Sequence, residues 1–266
     1  MREPLELKAY DTLEGRVRAI EEDGFAYFPA ALSADEVSAL RDAMRRLEPI
    51  PESFDGYHTA EDRGFFQAHI NNAFNRDRFF LDYLDRPGVI ELAEAVHGAD
   101  CHVIGMTSWL TGPGRPDQTL HADWLPVPLP EDVASDPRVK VPAFITTAHF
   151  YLDDMTEELG PTTFVPGSHR SGRSPNGDTQ WLGQSEQSIL CKAGDAVSFR
   201  SEVWHRGTAN VSDDTRHLLQ VHYAHRMITQ KYPPYLNRFQ FDETILAEAS
   251  PRQRRLLGDH RSGAYD

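Results

Sequence analysis

The sequence predicts a mainly β protein with flanking α-helices, in which a barrel or jelly roll is wrapped by N-terminal helices. From residue 101 onward, short runs rich in β-branched and aromatic residues alternate with Gly, Pro and Asp turns. Before that point, apolar residues recur at helical spacing behind capping signals. The length of 266 residues suits one domain of ordinary to large size, with ample material for a core.

Three helices are predicted in the first hundred residues. The first ends at Gly24 and carries an apolar stripe of Leu13, Val17 and Ile20. The second starts at a capping box, Ser33 with Glu36, and its stripe is Val37, Leu40, Met44 and Leu47. Pro87 opens the third, which ends at Gly98 and turns inward Ile90, Ala93 and Val96. Residues 25–29 predict a short strand between the first two helices.

The predicted core strands are 101–110, 119–124, 143–152, 163–165, 188–190, 196–199 and 216–225. The segment 126–142 holds five prolines and several acids, and we predict that it forms a loop over the mouth of the barrel. Residues 243–258 again have a helical pattern. We therefore predict a single domain over residues 1–266, with an N-terminal helical part (1–100), a β core (101–226) and a C-terminal tail (227–266).

Composition excludes several classes of protein. The formal net charge of -14 makes nucleic acid and anionic membrane surfaces poor partners. No stretch is long and apolar enough to cross a bilayer, and the first ten residues lack the apolar region of a secretory signal, so we expect a cytoplasmic protein. Two cysteines, Cys101 and Cys191, are too few for a disulfide scaffold and are expected to be reduced, packed thiols.

A candidate metal site comes from His121, Asp123 and His205. Residues at i and i+2 of a strand point to the same face, so the His121-Ala122-Asp123 motif offers an imidazole and a carboxylate to one metal ion. His205 lies between an apolar run and a Gly turn and can supply a third ligand. Two His and one carboxylate form a facial triad, which leaves open positions on iron(II) for a chelating cosubstrate and oxygen.

Arg216 lies eleven residues after His205, on the next predicted strand. An oxidation that consumes 2-oxoglutarate needs a charged partner for the distal carboxylate of that cosubstrate. Arginine offers a bidentate fork suited to a carboxylate inside an apolar barrel. A surface position on the strand is the alternative interpretation of Arg216.

These motifs together resemble the phytanoyl-CoA dioxygenase-like family of Fe(II)/2-oxoglutarate-dependent oxygenases. The resemblance lies in "HAD" (121–123), "LGPTTFVPGSHR" (159–170) and "WHRGTANVSDDTRHLLQVHYA" (204–224), and extends to "DGFAYFPAALSADEVSALR" (23–41) and "SPRQRRLLG" (250–258). It implies a double-stranded β-helix core, that is, a jelly roll of cupin-like type. The cofactors it implies are Fe(II), 2-oxoglutarate as cosubstrate, and O2.

Carried over by position, the resemblance implies that His121, Asp123 and His205 hold the iron and that Arg216 pairs with the distal carboxylate of 2-oxoglutarate. Gln118 and Thr162 resemble further cosubstrate contacts of some members. Related halogenases carry a small residue where this chain has Asp123, so the carboxylate favours hydroxylation or another oxygen-dependent oxidation over halogenation.

Alternation along residues 143–152 separates two faces of one strand. Thr147, His149 and Tyr151 share a face that we expect to look into the barrel lumen, while Ala148, Phe150 and Leu152 pack outward against helices. His149 and Tyr151, together with Trp124, are therefore candidate substrate-lining residues. The alternative interpretation makes His149 and Tyr151 satisfied polar groups of the core. We do not expect metal ligands at His169, in a structural turn, or at three histidines of a strand surface, His217, His222 and His225.

The predicted function is oxidation, by hydroxylation, of a C–H bond of a small molecule, with release of succinate and CO2. Acids in the loop 126–142, including Glu131, Asp132 and Asp136, favour a neutral or amine-bearing substrate, and a natural-product intermediate fits that description. Two alternatives stay open. One is a cupin-like dioxygenase or isomerase that uses the metal triad without 2-oxoglutarate, and the other is a non-catalytic barrel that binds a small molecule.

Overall fold

A computed structural model describes residues 2–50, 55–134, 136, 138–231 and 239–261. Within these residues the larger of two main sheets has seven strands, each antiparallel to its neighbours. In spatial order they are β2 (Phe25–Phe28), β11 (Ala196–Arg200), β6 (Ile145–Tyr151), β13 (Arg216–Ala224), β5 (His102–Thr111), β4 (Gln67–Asn71) and β3 (Gly56–His58).

The smaller sheet has four strands in the described part of the chain. In order they are β1 (Glu3–Pro4), β10 (Gln187–Ser188), β7 (Thr162–Phe164) and β12 (His205–Gly207), and only the β1–β10 pair among them is parallel. A separate hairpin joins β8 (Gln180–Trp181) to β9 (Gln184–Ser185).

The two sheets pack face to face around an aromatic core. The ring of Phe164 on β7 lies 4.8 Å from that of Phe199 on β11. Tyr151, Val197 and Leu218 of the larger sheet belong to the same buried cluster. Two antiparallel sheets with their inner faces in contact form the predicted double-stranded β-helix core, so the expected fold class is confirmed.

The described residues form the α-helices α1 (Leu13–Glu22), α2 (Ala34–Arg45), α3 (Ala60–Arg63), α4 (Val89–His97), α5 (Glu131–Ala134), α6 (Glu243–Glu248) and α7 (Pro251–Leu256). Of these, α1, α2, α4 and α7 pack on the larger sheet. Except for Leu13, which is 36% exposed, the predicted stripes of α1, α2 and α4 pack in or against one buried cluster. Ala148, Phe150 and Leu152 belong to the same cluster, so their predicted packing against the helices is confirmed. No helix in the described ranges is long and apolar enough to span a membrane.

Three elements differ from the sequence-based prediction. Besides the predicted strand β2, the N-terminal part contributes β1, β3 and β4, so it completes both sheets as well as covering them. Residues 119–124 do not form a strand, because the segment makes a single β-bridge, between His121 and His205, and the next backbone bonds from Asp123 and Trp124 both go to the Ser201 carbonyl. The tail forms two short helices rather than one, since Pro251 lacks an N–H and the residue before a proline disfavours helical geometry.

The described part of the segment 126–142 is a loop that contains the short helix α5, as predicted. Its acids are largely paired locally: Glu131 lies 3.4 Å from Arg173 and Asp136 lies 2.6 Å from Arg138. A cavity of about 450 Å³ separates the loop from α1 and α4. These ion pairs weaken the expectation that the loop acids attract an amine.

We predict that acid destabilises the fold, because some histidines are buried in their neutral form. His97 at the end of α4 is bound to the Ala143 carbonyl and the Thr146 hydroxyl, and burial lowers its pKa to about 4. In the unfolded chain its pKa is about 6.5, so as the pH falls below that value the unfolded state takes up the proton first. We expect this one residue to cost about 2 kcal/mol of unfolding free energy between pH 6.5 and 5, and the loss to end near pH 4.

Urea unfolding at pH 7 and pH 5 checks this prediction. His97→Asn keeps a donor for the Ala143 carbonyl but cannot titrate, so it should lose less stability on acidification than the wild type. The matched control is His58→Asn, at a partly exposed position of β3, which should keep the wild-type pH dependence. Equal pH dependence in the wild type and His97→Asn would contradict the assignment.

Candidate active site

Three potential ligands converge where the bridge at His121 meets β12. The backbone N–H of His121 donates to the His205 carbonyl at 3.0 Å, and that of His205 donates to the His121 carbonyl at 2.8 Å. This pairing sets the two imidazoles side by side. The Nε2 atoms of both lie 3.7 Å from Oδ1 of Asp123, and the three ligand atoms are all within 4.8 Å of one another. No other such group of three occurs among the described residues.

Backbone carbonyls fix the orientation of both imidazoles. Nδ1 of His121 donates to the Thr119 carbonyl and Nδ1 of His205 donates to the Val203 carbonyl, each at 2.8 Å. A carbonyl only accepts, so the ring proton is on Nδ1 and the lone pair of Nε2 faces Asp123. Metal-binding histidines commonly have this second hydrogen bond, which holds the ring and its tautomer in place.

The protonation states suit a cation. Burial alone would raise the pKa of Asp123, but the neighbouring His205, His121 and His222 together hold it well below its ordinary value. Burial lowers the pKa of His205, so its ring is neutral at pH 7. Burial also acts to lower the pKa of His121, but its hydrogen bonds with Asp123 and the Thr119 carbonyl raise that pKa, so binding of a metal would release a proton from this ring. Two imidazoles and an ionised carboxylate are the donor set that Fe(II) takes in a facial triad, so the residues present fit the metal.

Arg216, the first residue of β13, is buried at the base of the same lumen. Nη1 donates to the Gly160 carbonyl and Nη2 to the Thr111 hydroxyl, while Nε has no partner. The guanidinium has no ion pair with a described carboxylate. Burial, together with the smaller effect of the nearby positive charge of Arg115, lowers its pKa to about 10. A buried cation with an unused donor calls for an anionic ligand.

Gln118 and Thr162 lie near this arginine. Oε1 of Gln118 accepts a hydrogen bond from the Gly207 N–H at 2.7 Å. A Cβ at Gly207 would stand 3.1 Å from Oε1 of Gln118 and 3.4 Å from Nη2 of Arg216, so the glycine keeps the space between them open. Thr162, buried on β7, is hydrogen-bonded to the hydroxyl of Tyr151. Their roles as cosubstrate contacts stay predictions.

The expected lumen residues occupy the inner face. His149 is fully buried, and its ring lies 4.8 Å from that of Phe199, which in turn lies 5.0 Å from that of His205. The Tyr151 hydroxyl is 3.5 Å from Nδ1 of His149. Trp124 is partly exposed and meets the ring of His222 edge-on at 5.4 Å. Their contact with a substrate stays a prediction.

The structure corrects the interpretation of two histidines. His217 and His222 were expected on a strand surface, but both are buried. His217 lies between Arg45 and Asp153, and Nδ1 of His222 is hydrogen-bonded to the Thr147 hydroxyl. Neither belongs to a metal-ligand group in the described ranges, nor does His169.

Sequence reasoning missed three inner-face residues, Gln220, Trp109 and His69. Nε2 of Gln220 is 2.8 Å from Nε2 of His149, and Nε1 of Trp109 donates to Oε1 of Gln220 at 2.7 Å. The ring of His69 stacks on Trp109 at 3.8 Å. Gln220 could have been found by alternation, because it lies four residues from Arg216 and so shares its face of β13.

Comparison with known proteins identifies the family. The model of the phytanoyl-CoA dioxygenase family matches residues 20–218, well over half of the chain. The chain belongs to the phytanoyl-CoA dioxygenase family. The resemblance predicted from the sequence is thus confirmed. The segment that matches the phytanoyl-CoA dioxygenases contains His121, Asp123, His205 and Arg216.

Individual relatives are distant. Dioxygenase cdmA of Talaromyces verruculosus is 30% identical over 156 residues, which cover 57% of this chain and 47% of that protein. The Fe(II)/2-oxoglutarate-dependent dioxygenase nvfF of Aspergillus novofumigatus is 28% identical over 151 residues, covering 55% of this chain and 45% of that protein. The chain thus matches about half the length of these two relatives.

Solved structures share the fold. The epimerase SnoN, in complex with Fe3+, alpha ketoglutarate and nogalamycin RO, superposes with a TM-score of 0.63 at 22% identity, over 80% of this chain and 84% of that one. At this level of identity the likeness establishes the architecture. It agrees with the double-stranded β-helix that the phytanoyl-CoA dioxygenase motifs predicted.

Proposed function

We propose that this protein is an Fe(II)- and 2-oxoglutarate-dependent dioxygenase that oxidises a C–H bond of a small molecule, with release of succinate and CO2. One observation carries the proposal. Two imidazole nitrogens and a carboxylate oxygen lie within 4.8 Å of one another, in the same lumen as a buried arginine without a carboxylate partner. The named cofactors of nvfF and SnoN support it.

His121, Asp123 and His205 are the residues that would hold the iron. Iron(II) in such a triad supplies the activation of O2 that an unreactive C–H bond requires. The chain contributes two imidazoles whose orientation is fixed by carbonyls and one carboxylate that is ionised before the metal arrives. The ligand atoms are therefore arranged in advance, and little reorganisation is needed on binding.

Arg216 and Gln118 would hold the cosubstrate. The guanidinium fork of Arg216 binds a carboxylate through charge-assisted hydrogen bonds, which are strong where water is excluded. Gln118 accepts from the Gly207 N–H through Oε1, so its amide nitrogen is left to donate. The buried rings of Phe164 and Phe199 separate this region from solvent. Thr162 supports the site through the Tyr151 hydroxyl.

Hydroxylation is the outcome we propose, and the substrate class is a natural-product intermediate. The related fold of an epimerase shows that this architecture also hosts reactions other than hydroxylation. The cytoplasm is the proposed compartment, because Cys101 and Cys191 are both free and buried, as expected of reduced thiols. We further propose that the domain 1–266 acts on its substrate as one unit.

The two alternatives differ from the proposed function in the role that they give to Arg216. A cupin-like dioxygenase or isomerase without 2-oxoglutarate, or a non-catalytic barrel, would leave this buried guanidinium without an anion. Burying an unpaired charge is costly, so neither alternative explains why the arginine is there.

Anaerobic reconstitution tests the function. Protein loaded with iron(II) should develop a visible charge-transfer band on addition of 2-oxoglutarate, and in air it should form succinate faster when a substrate is present. The same protein with 2-oxoglutarate omitted is the control. Fully metallated protein that shows neither the band nor succinate would refute the proposal.

A further inference from the structure

Two central strands of the larger sheet are buried along their length except at one residue each. These are Trp109 on β5 and Gln220 on β13, which are partly exposed. The two side chains are hydrogen-bonded to each other, with Nε1 of Trp109 donating to Oε1 of Gln220 at 2.7 Å. Because both side chains are partly exposed, a ligand can reach the inner face of the sheet at this position.

The strand register places Gln220 in the lumen. Gln220 lies opposite His149 on β6 and opposite Thr107 on β5. Its chain neighbours, Leu219 and Val221, belong to the buried cluster under the helices, so Gln220 points the other way. Through His149 and Phe199 it is two ring contacts from His205, a candidate iron ligand.

The hydrogen bonds determine which way the amide of Gln220 faces. The indole N–H of Trp109 can only donate, so the atom beside it must be the amide oxygen, and the amide nitrogen faces Nε2 of His149 at 2.8 Å. His149 then accepts, which requires a neutral ring, and burial lowers its pKa to about 3. An amide nitrogen carries two hydrogens, and no described residue accepts the second one.

A flat wall lies beside this donor. The ring of His69 stacks on that of Trp109 at 3.8 Å and an angle of 10°. Burial lowers the pKa of His69 to about 4, so both rings are uncharged at pH 7. The stacked rings offer a flat surface, and the amide of Gln220 beside them offers one directed hydrogen bond. Of the two charged side chains that act on His69, the cation Lys231 has the larger effect and the carboxylate Asp55 the smaller, so a cationic amine is disfavoured here.

We infer that Gln220 is a substrate-recognition residue, which donates its second N–H to a carbonyl oxygen on a planar, unsaturated ring that stacks on an outer face of the His69–Trp109 pair. Planar rings gain from stacking on aromatic side chains, and a few placed polar groups fix orientation in such pockets. The inference rests on the proposed function and narrows its substrate class from neutral or amine-bearing molecules to neutral, carbonyl-bearing ring systems.

Calorimetric titration of three probes tests the inference, with anaerobic protein loaded with iron(II) and 2-oxoglutarate. Chromone has a planar bicycle and a carbonyl, naphthalene has the plane without an acceptor, and 1-decalone has the carbonyl without the plane. Wild-type protein should bind chromone about tenfold or more tightly than either other probe, which is the effect of one hydrogen bond or one stacked ring.

Gln220→Leu should bind chromone and naphthalene equally, with naphthalene affinity close to wild type. Gln184→Leu, on the exposed hairpin strand β9, is the matched control and should keep the preference. If Gln220→Leu fails to fold, Gln220→Glu serves instead, because it keeps the acceptor for Trp109 and removes the donor. The Gln220→Glu substitution should also raise the pKa of His149, and nitrogen-15 spectra of labelled histidine measure that change.

Other outcomes overturn the inference. They are a folded Gln220 variant that still prefers chromone, a wild type that binds chromone and naphthalene equally, or a wild type that binds none of the three probes. Failure of the proposed function looks different, because the wild type would then show no heat of binding for 2-oxoglutarate before any probe is added.

Discussion

Replacing Asp123 with alanine is expected to lower the affinity for iron(II) by more than about 100-fold and to abolish substrate-dependent succinate formation. Loss of a residue that only orients a ligand costs roughly 10- to 100-fold in metal affinity, and Asp123 is the one carboxylate of the triad. Without it the cation keeps two neutral imidazoles and loses the negative charge that balances it. Anaerobic titration with iron(II), followed by metal analysis of the desalted protein, measures the effect.

The control for Asp123→Ala is Asp132→Ala, which removes the same group from an exposed position of α5. It should bind iron(II) like the wild type. Metal-free Asp123→Ala should keep the wild-type circular dichroism, because no described backbone hydrogen bond is made by the lost carboxylate. Iron affinity and turnover equal to wild type in this variant would remove Asp123 from the metal site.

Replacing Arg216 with leucine is expected to weaken 2-oxoglutarate binding by about 100- to 4,000-fold. Breaking a buried charge pair costs about 3–5 kcal/mol, and every 1.4 kcal/mol is tenfold in affinity. The affinity of Arg216→Lys for 2-oxoglutarate should lie between the affinities of Arg216→Leu and the wild type, since a point charge cannot reproduce the bidentate fork. Titration of the iron(II)-loaded proteins under anaerobic conditions measures each affinity.

A second ligand makes the Arg216 experiment specific. 2-Oxobutyrate has the same metal-chelating end as 2-oxoglutarate but lacks the distal carboxylate. Wild-type protein should prefer 2-oxoglutarate strongly, Arg216→Leu should lose the preference, and the affinity for 2-oxobutyrate should change little. A leucine variant that keeps the wild-type affinity for 2-oxoglutarate would favour a cupin-like enzyme that does not use it.

The candidate site was largely predictable because its chemistry requires specific residue types. Only certain side chains bind iron or a buried carboxylate, so His121, Asp123, His205 and Arg216 stand out from their apolar surroundings in the sequence. Gln220 did not stand out, because one amide in a strand is compatible with either a surface or a lumen position. Its role depends on two partners, Trp109 and His149, that are distant in the chain.

The fold was predictable where a pattern repeats and less so where pairing is set by distant strands. The stripes of α1, α2 and α4 and the alternation along β6 have clear periods, and the structure confirms them except at Leu13, which is exposed. Strands β3 and β4 are short and partly polar, so only their pairing beside β5 makes them strands. The segment 119–124 has a strand-like composition, but after the bridge at His121 its backbone turns to Ser201 instead of continuing a ladder.

The strand order of the larger sheet has a consequence for how the enzyme is assembled. β2, near the start of the chain, pairs with β11, and β5 pairs with β13, so most of the sheet forms between segments distant in sequence. Such topologies fold slowly, because loop closure must precede the gain from pairing. His121 and His205 meet only when segments distant in sequence have come together. We therefore expect the chain to assemble the candidate iron site by folding, before a metal ion can bind all three ligands.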